Sequence, residues 1–154
     1  MRRLLAPLLG ATLLLSSVGV VSADSTYTFD PVACAFFEGG SITVDPGTTV
    51  VLRSGWTATT HGQILSFVQA STWLVTVNGT SIDVTPYLQI SQIDRKFWAV
   101  FWEYPVGTLG LAATLNISLD VVMNHPNFDG TTLYPRGSVL GGPVHCLVTG
   151  AVSP

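Results

Sequence analysis

The chain has 154 residues, 47% of them hydrophobic and only 10% charged, with a formal net charge of −3. Beyond residue 23 the basic side chains are Arg53, Arg95, Lys96 and Arg136, four against nine Asp and Glu, which leaves −5. Four scattered cations exclude the clustered phosphate neutralisation that nucleic-acid recognition needs, and equally exclude docking on an anionic bilayer.

Residues 1–23 read as a secretory signal-peptide helix. Arg2 and Arg3 supply the positive start, an apolar run follows from Leu4 to Val21, and Val21-Ser22-Ala23 forms the cleavage site. The alternative is an uncleaved anchor, since the run is nearly long enough to span a bilayer; Ser16, Ser17 and Gly19 weaken it. The expected location is therefore secreted, with no membrane association after cleavage. The remaining 131 residues suffice for one domain, 24–154.

Tyr27 to Phe37 reads as an extended, aromatic-rich opening broken at Pro31. Ser41-Ile42-Thr43-Val44 alternates and is followed by Asp45-Pro46-Gly47, a turn in which Pro presets φ and Gly accepts a positive one. The strand resumes over Thr48 to Trp56, so the two segments are expected to pair as a hairpin. Between Thr59 and Ser71 the period changes. Ile64, Leu65, Phe67 and Val68 fall at helical spacing, and Thr60 with Gln63 forms a capping box, which predicts a helix over 61–70. Trp73–Val77 and Ser81–Val84 flank Asn78-Gly79, a strong hairpin signal, with Trp73, Val75 and Val77 on one face.

The next strand is apolar on both sides. Trp98, Val100, Trp102 and Tyr104 share one face, and Phe97, Ala99 and Phe101 the other, so it is either covered twice or exposes one aromatic row. Leu115, Ile117, Leu119, Val121 and Met123 then alternate with more polar neighbours, as do Val144, Cys146 and Val148 in the last strand. Gly137 to Gly142 reads as a flexible connection into that strand. Seven or eight mainly antiparallel strands with one short helix predict an all-β antiparallel sandwich.

Cys34 and Cys146, a lone pair in an exported chain, predict a disulfide between the terminal strands; two free buried thiols are the alternative. The paired cysteines, the tryptophans and the strand spacing resemble immunoglobulin-like sandwiches. Gly55-Trp56-Thr57-Ala58-Thr59, the helix with Phe67 and Val77-Asn78-Gly79 are similar to small exported bacterial members without assigned activity. The pattern departs from antibody domains: Val144 stands where a Tyr precedes the second Cys, and Trp56 lies 22 residues beyond Cys34. The resemblance implies a fold and a compartment, and no functional residue.

Candidate chemistry is sparse. His61, His125 and His145 do not share metal-ligand spacing. The loop from Asn124 to Gly130 echoes a calcium loop, but His125 and Arg136 stand at two ligand positions, and an ordinary turn is expected. No metal and no cofactor is expected. There is no G-x-S-x-G string, and the Gly-rich segment near Ser138 lacks a phosphate-loop Lys. Glu38, Glu103 and Asp120 are possible members of a glycosidase pair, but no catalytic residue is assigned. Asn78 and Asn116 head glycosylation acceptor strings that turn and strand chemistry explain equally well.

The sharpest binding lead is the row Trp98, Trp102 and Tyr104, which could stack on a sugar or anchor a protein, with core packing as its competitor. The expectation is a secreted, non-catalytic binding or structural module whose partner is a protein or a glycan. The alternatives are a carbohydrate-binding module using that row, and a small extracellular hydrolase with unidentified carboxylates.

Overall fold

A computed structural model of the protein describes residues 25–37 and 39–152; the expected signal segment, residues 1–23, lies outside the described residues. The opening segment is not extended throughout. It divides into strand β1 (Thr26–Phe29) and helix α1 (Pro31–Phe37). The Asp30 carboxylate accepts the Val32 N–H at 2.9 Å, and Pro31 takes the first helical position, where a missing N–H costs nothing. The proline starts a helix instead of interrupting a strand. The described residues thus hold two helices, where one was expected.

Strand β2 (Ser41–Val44) and strand β3 (Thr49–Ala58) flank the predicted turn. Thr48 N–H reaches the Asp45 carbonyl at 3.2 Å, and Gly47 has φ +85°. The two strands nevertheless do not pair, because β2 joins one sheet and β3 the other. A Pro-Gly turn of this hand splays its flanking strands, whereas a hairpin needs the opposite twist. Here it carries the chain between layers.

Helix α2 (His61–Ala70) matches the predicted range, with the Thr60–Gln63 capping box formed in both directions. Strands β4 (Ser71–Val77) and β5 (Thr80–Ile82) make the predicted hairpin, with Asn78 and Gly79 both at positive φ. A single 3-10 turn at Thr85–Tyr87 leads to β6 (Gln89–Gln92), and then come β7 (Trp98–Thr108) and β8 (Thr114–Met123). The short hairpin β9 (Asn127–Phe128) and β10 (Leu133–Tyr134) precedes β11 (Val139–Gly150). The Gly-rich stretch expected to be a flexible connection is largely strand. β11 already pairs with β8 at Val139, and the register shifts between Leu140 and Val144, the kind of irregularity in which Gly and Pro are tolerated within a sheet.

Apart from the β9–β10 hairpin, the strands form a four-stranded sheet in the order β1-β3-β7-β6 and a five-stranded sheet in the order β2-β11-β8-β4-β5. Both are mixed. β1 runs parallel to β3 and β2 parallel to β11, while the other six described strand pairings are antiparallel, so the sheets are mainly antiparallel with one parallel pairing in each. The described residues form eleven strands, more than the seven or eight expected, because several are only two to four residues long.

The sheets share one core. Leu52 and Trp102 from the first sheet and Ile117, Leu119 and Val144 from the second are all buried. Trp73 meets Trp102 edge to face across the layers at 6.0 Å. Helix α2 closes one end, stacking Phe67 on Trp56 at 5.1 Å with the rings 5° from parallel. Cys34 and Cys146 form a disulfide with 5.9 Å between Cα atoms, tying α1 to β11; Cys34 sits on a helix and not on the terminal strand expected for it. None of the described helices is long and apolar enough to cross a membrane.

Candidate functional site

Strand β7 decides where aromatic surface meets solvent. Its alternation is as expected, and the row Trp98, Val100, Trp102, Tyr104 faces the core. Trp102 is 0% exposed and lies against Trp73. Trp98 is half-buried beneath His61, with ring centroids 4.5 Å apart, and Tyr104 is half-buried edge to face with Tyr87 at 5.3 Å. These three residues therefore do not form one exposed platform. The middle ring is interior, and the outer two are covered by separate neighbours. The indole N–H groups of Trp56, Trp73 and Trp102 are buried without a hydrogen-bond partner among the described residues. Each of these rings instead meets another edge to face, Trp56 with Tyr134 at 82° and Trp73 with Trp102 at 85°.

The opposite row is the open one. Phe97, Ala99 and Phe101 lie on the outer face of the four-stranded sheet, with Phe97 41% exposed and Phe101 half-buried. Helix α2 packs against Trp56 and Trp98 on the core side of the sheet and does not cover this face. Register sets Gly55 beside Phe101, Thr57 beside Ala99 and Arg53 beside Glu103. A Cβ at Gly55 would lie 2.6 Å from the Val100 carbonyl oxygen, so only glycine fits this close approach. Arg53 forms an ion pair with Glu103, and its guanidinium lies 5.8 Å from the centre of the Phe101 ring.

On the far side of β7, Ser91 pairs with Ala99, and the exposed Ile93 closes the β6–β7 turn through its N–H to the Phe97 carbonyl at 3.0 Å. Together Arg53, Ser91, Ile93, Ala99 and Phe101 line a shallow trough of about 290 Å³, with apolar walls and an ion pair at one end. The outer face of the five-stranded sheet carries no such row: Thr72, Leu74 and Thr76 on β4 lie beside Val122, Asp120 and Ser118 on β8.

No known protein family, curated protein or solved structure matched this chain.

The other candidate residues disperse. Glu103 lies on the outer face of the four-stranded sheet and Asp120 on the outer face of the five-stranded one, so these two carboxylates do not face each other across a cleft. Glu38 lies outside the described residues.

In the Asn124–Gly130 loop, Asp129 is buried and turned inward to its own hairpin. Its Oδ1 accepts the N–H groups of Thr131 and Thr132 and the Thr131 hydroxyl, each at 2.8 Å, and its Oδ2 accepts the Tyr134 hydroxyl at 3.0 Å. Burial alone would raise this carboxyl. The hydrogen bonds from Thr132, Thr131 and Tyr134 outweigh it and hold the group below its ordinary value. Burial raises the Tyr134 phenol, and the bond to Asp129 adds to the effect. A carboxylate used in this way is a turn-former, as expected. His125 is exposed, and among the described residues no three His, Cys, Asp or Glu converge on a metal position. The Asn78 side-chain oxygen accepts the Asn116 N–H at 2.8 Å, so both acceptor strings begin at residues engaged in the hairpin and its neighbour strand.

Sequence reasoning missed Arg53, Ile93 and Phe101 as a surface group. The signal present was a β7 strand with two apolar faces, one of which must remain uncovered if only one helix is available to it.

Proposed function

We propose that this chain is an exported, non-catalytic binding or structural module with an immunoglobulin-like sandwich fold, and that it engages a protein partner through the outer face of the four-stranded sheet. The observation that carries this reading is the exposed Phe97 and half-buried Phe101 on either side of the buried Ala99, with the exposed Ile93 and the Arg53–Glu103 pair around them. Aromatic rings beside an arginine on an otherwise polar surface are the composition of interface anchors. Export is supported by the N-terminal signal pattern and by the α1–β11 disulfide, which persists in oxidising compartments.

The carbohydrate alternative has less support. Sugar platforms favour rings with a polar edge, and the Trp and Tyr side chains of β7 belong to the core-facing row, while the open row offers Phe.

Site-specific photo-crosslinking in the producing cells tests the proposal. A photoreactive residue at Phe97 or Ile93 should capture a protein, whereas the same residue at the exposed Thr131 or Leu111 should not. Equal adduct yields at all four positions, or none at any, would remove this face as the interaction surface.

A further inference from the structure

A cavity of about 130 Å³ lies between the two sheets, beside the start of α1. Its walls are largely aromatic and aliphatic: Trp56 from the first sheet, with Trp73, Leu119 and Val121 from the second. The polar side-chain groups among its lining residues are the Asp30 carboxylate, the Ser54 hydroxyl and the indole N–H groups of Trp56 and Trp73, the last two without a partner among the described residues. Asp30 accepts the Val32 N–H at the start of α1, with Ser54 beside it, and no described cationic side chain pairs with it. Among the described residues the one ion pair is Arg53–Glu103, on the outer face of the sheet. Asp30 thus presents a carboxylate without a counter-ion at the edge of an aromatic space.

From this juxtaposition we infer that the interlayer cavity is a binding site for a small organic cation, an alkylammonium or quaternary ammonium group paired with Asp30 and packed against Trp56 and Trp73. Size supports it. The space equals about four water molecules at ~30 Å³ each, or one compact ion of about five heavy atoms. Apart from Asp30, Ser54 and the two indole N–H groups, the lining side chains Val32, Leu119, Val121 and Leu140 are aliphatic, and a filling with its own methyl groups suits them. Chemistry supports it as well: methylated ammonium ions lose little hydration on burial and are drawn to the electron-rich faces of indoles. Burial raises the Asp30 carboxyl above its ordinary value despite the Val32 N–H and the Ser54 hydroxyl that act to lower it, the condition that a bound cation relieves. The inference is independent of the outer-face reading, because the cavity and the trough lie on opposite sides of the four-stranded sheet.

The test uses the disulfide-bonded protein, ¹⁵N-labelled, with its indole N–H resonances assigned through single Trp→Phe variants. Tetramethylammonium chloride is titrated against sodium chloride at equal ionic strength, and tert-butanol serves as a neutral probe of similar shape. The Trp56 and Trp73 resonances should move and saturate with tetramethylammonium, and the Trp98 resonance should stay put. Tert-butanol should bind about tenfold more weakly. Asp30→Asn, which keeps a competent helix cap, should lose that preference for the cation while binding tert-butanol as before. Static indole resonances, or equal binding of the neutral probe by the unaltered protein, would overturn the assignment whether or not the variant folds. So would tetramethylammonium binding that Asp30→Asn leaves unchanged.

Discussion

Asp129 holds the β9–β10 hairpin with a single carboxylate that accepts four hydrogen bonds while buried. Replacing it with Ala strands two backbone N–H groups in a part-buried turn, so Asp129→Ala should lower stability by about 2 to 3 kcal/mol, measured by urea denaturation at pH 7. The pH dependence has a definite sign. A carboxyl whose folded pKa is depressed contributes stability that is present above its unfolded value and is lost as pH falls through the folded one. The stability gap between the native protein and Asp129→Asn should therefore be full at neutral pH and close below about pH 4. A gap that is constant from pH 7 to pH 2 would show that the charge contributes nothing. Asn127, next to this turn in space and sequence, presents the reverse case. Its side chain is buried and neither amide atom has a partner among the described residues. Asn127→Val, closer to the amide in bulk than Leu, removes the unmet polar groups, so it should stabilise the fold by about 1 kcal/mol. A loss of stability would mean that the amide is satisfied by ordered water.

At the scale of elements, the disulfide joins α1 to β11 across a separation of 112 residues and closes nearly the whole described chain into one loop. In the chain-entropy account such a loop contributes about 4 to 5 kcal/mol, chiefly by restricting the unfolded chain. The double variant Cys34→Ala/Cys146→Ala should lose about that much in equilibrium denaturation, with the sheets otherwise intact by circular dichroism. A loss below about 1 kcal/mol would place the stabilisation elsewhere.

How legible each element was in the sequence follows from how local its cause is. The capping box at Thr60 and Gln63, the Asn78-Gly79 turn and the alternation through Leu115–Met123 are decided within a few residues, and the structure has all three as read. Pro31 is ambiguous in isolation, since a proline both breaks a strand and opens a helix; the deciding feature is the Asp30 cap before it. Asp45-Pro46-Gly47 specifies a turn but not which strands meet beyond it, and pairing β2 with β11 and β1 with β3 depends on contacts distant along the chain. The inward choice of β7 was equally hidden. Both of its rows are apolar, and only the partners across the core, Trp73 above all, select Trp102 for the interior.

That choice gives the whole molecule two aromatic systems, one buried and one on the outer face, and substitution can separate them. Trp102 is fully buried between the sheets, so Trp102→Ala should cost about 4 kcal/mol through lost transfer energy and the cavity left behind. Phe97 lies on the outer face and is 41% exposed, so Phe97→Ser should cost less than about 1 kcal/mol. Binding should respond in the other order. If the four-stranded sheet carries the partner surface, Phe97→Ser should retain a near-native melting temperature and weaken partner capture at Ile93 by at least about tenfold, the usual loss for an interface anchor. Phe101→Ser is a harder variant, because Phe101 is half-buried, lies opposite Gly55 in the register and has Arg53 near its ring, so stability and binding should fall together there. Leu74→Ser, on the outer face of the other sheet, serves as the matched control, being 50% exposed with no aromatic row around it. Thermal melts and crosslinking yields measured on the four variants give a two-axis map: Trp102→Ala should fall on the stability axis, Phe97→Ser on the binding axis, Phe101→Ser on both and Leu74→Ser on neither. A Phe97→Ser variant that melts normally and still yields full crosslinking at Ile93 would detach the exposed row from any binding role, leaving it as uncovered sheet surface.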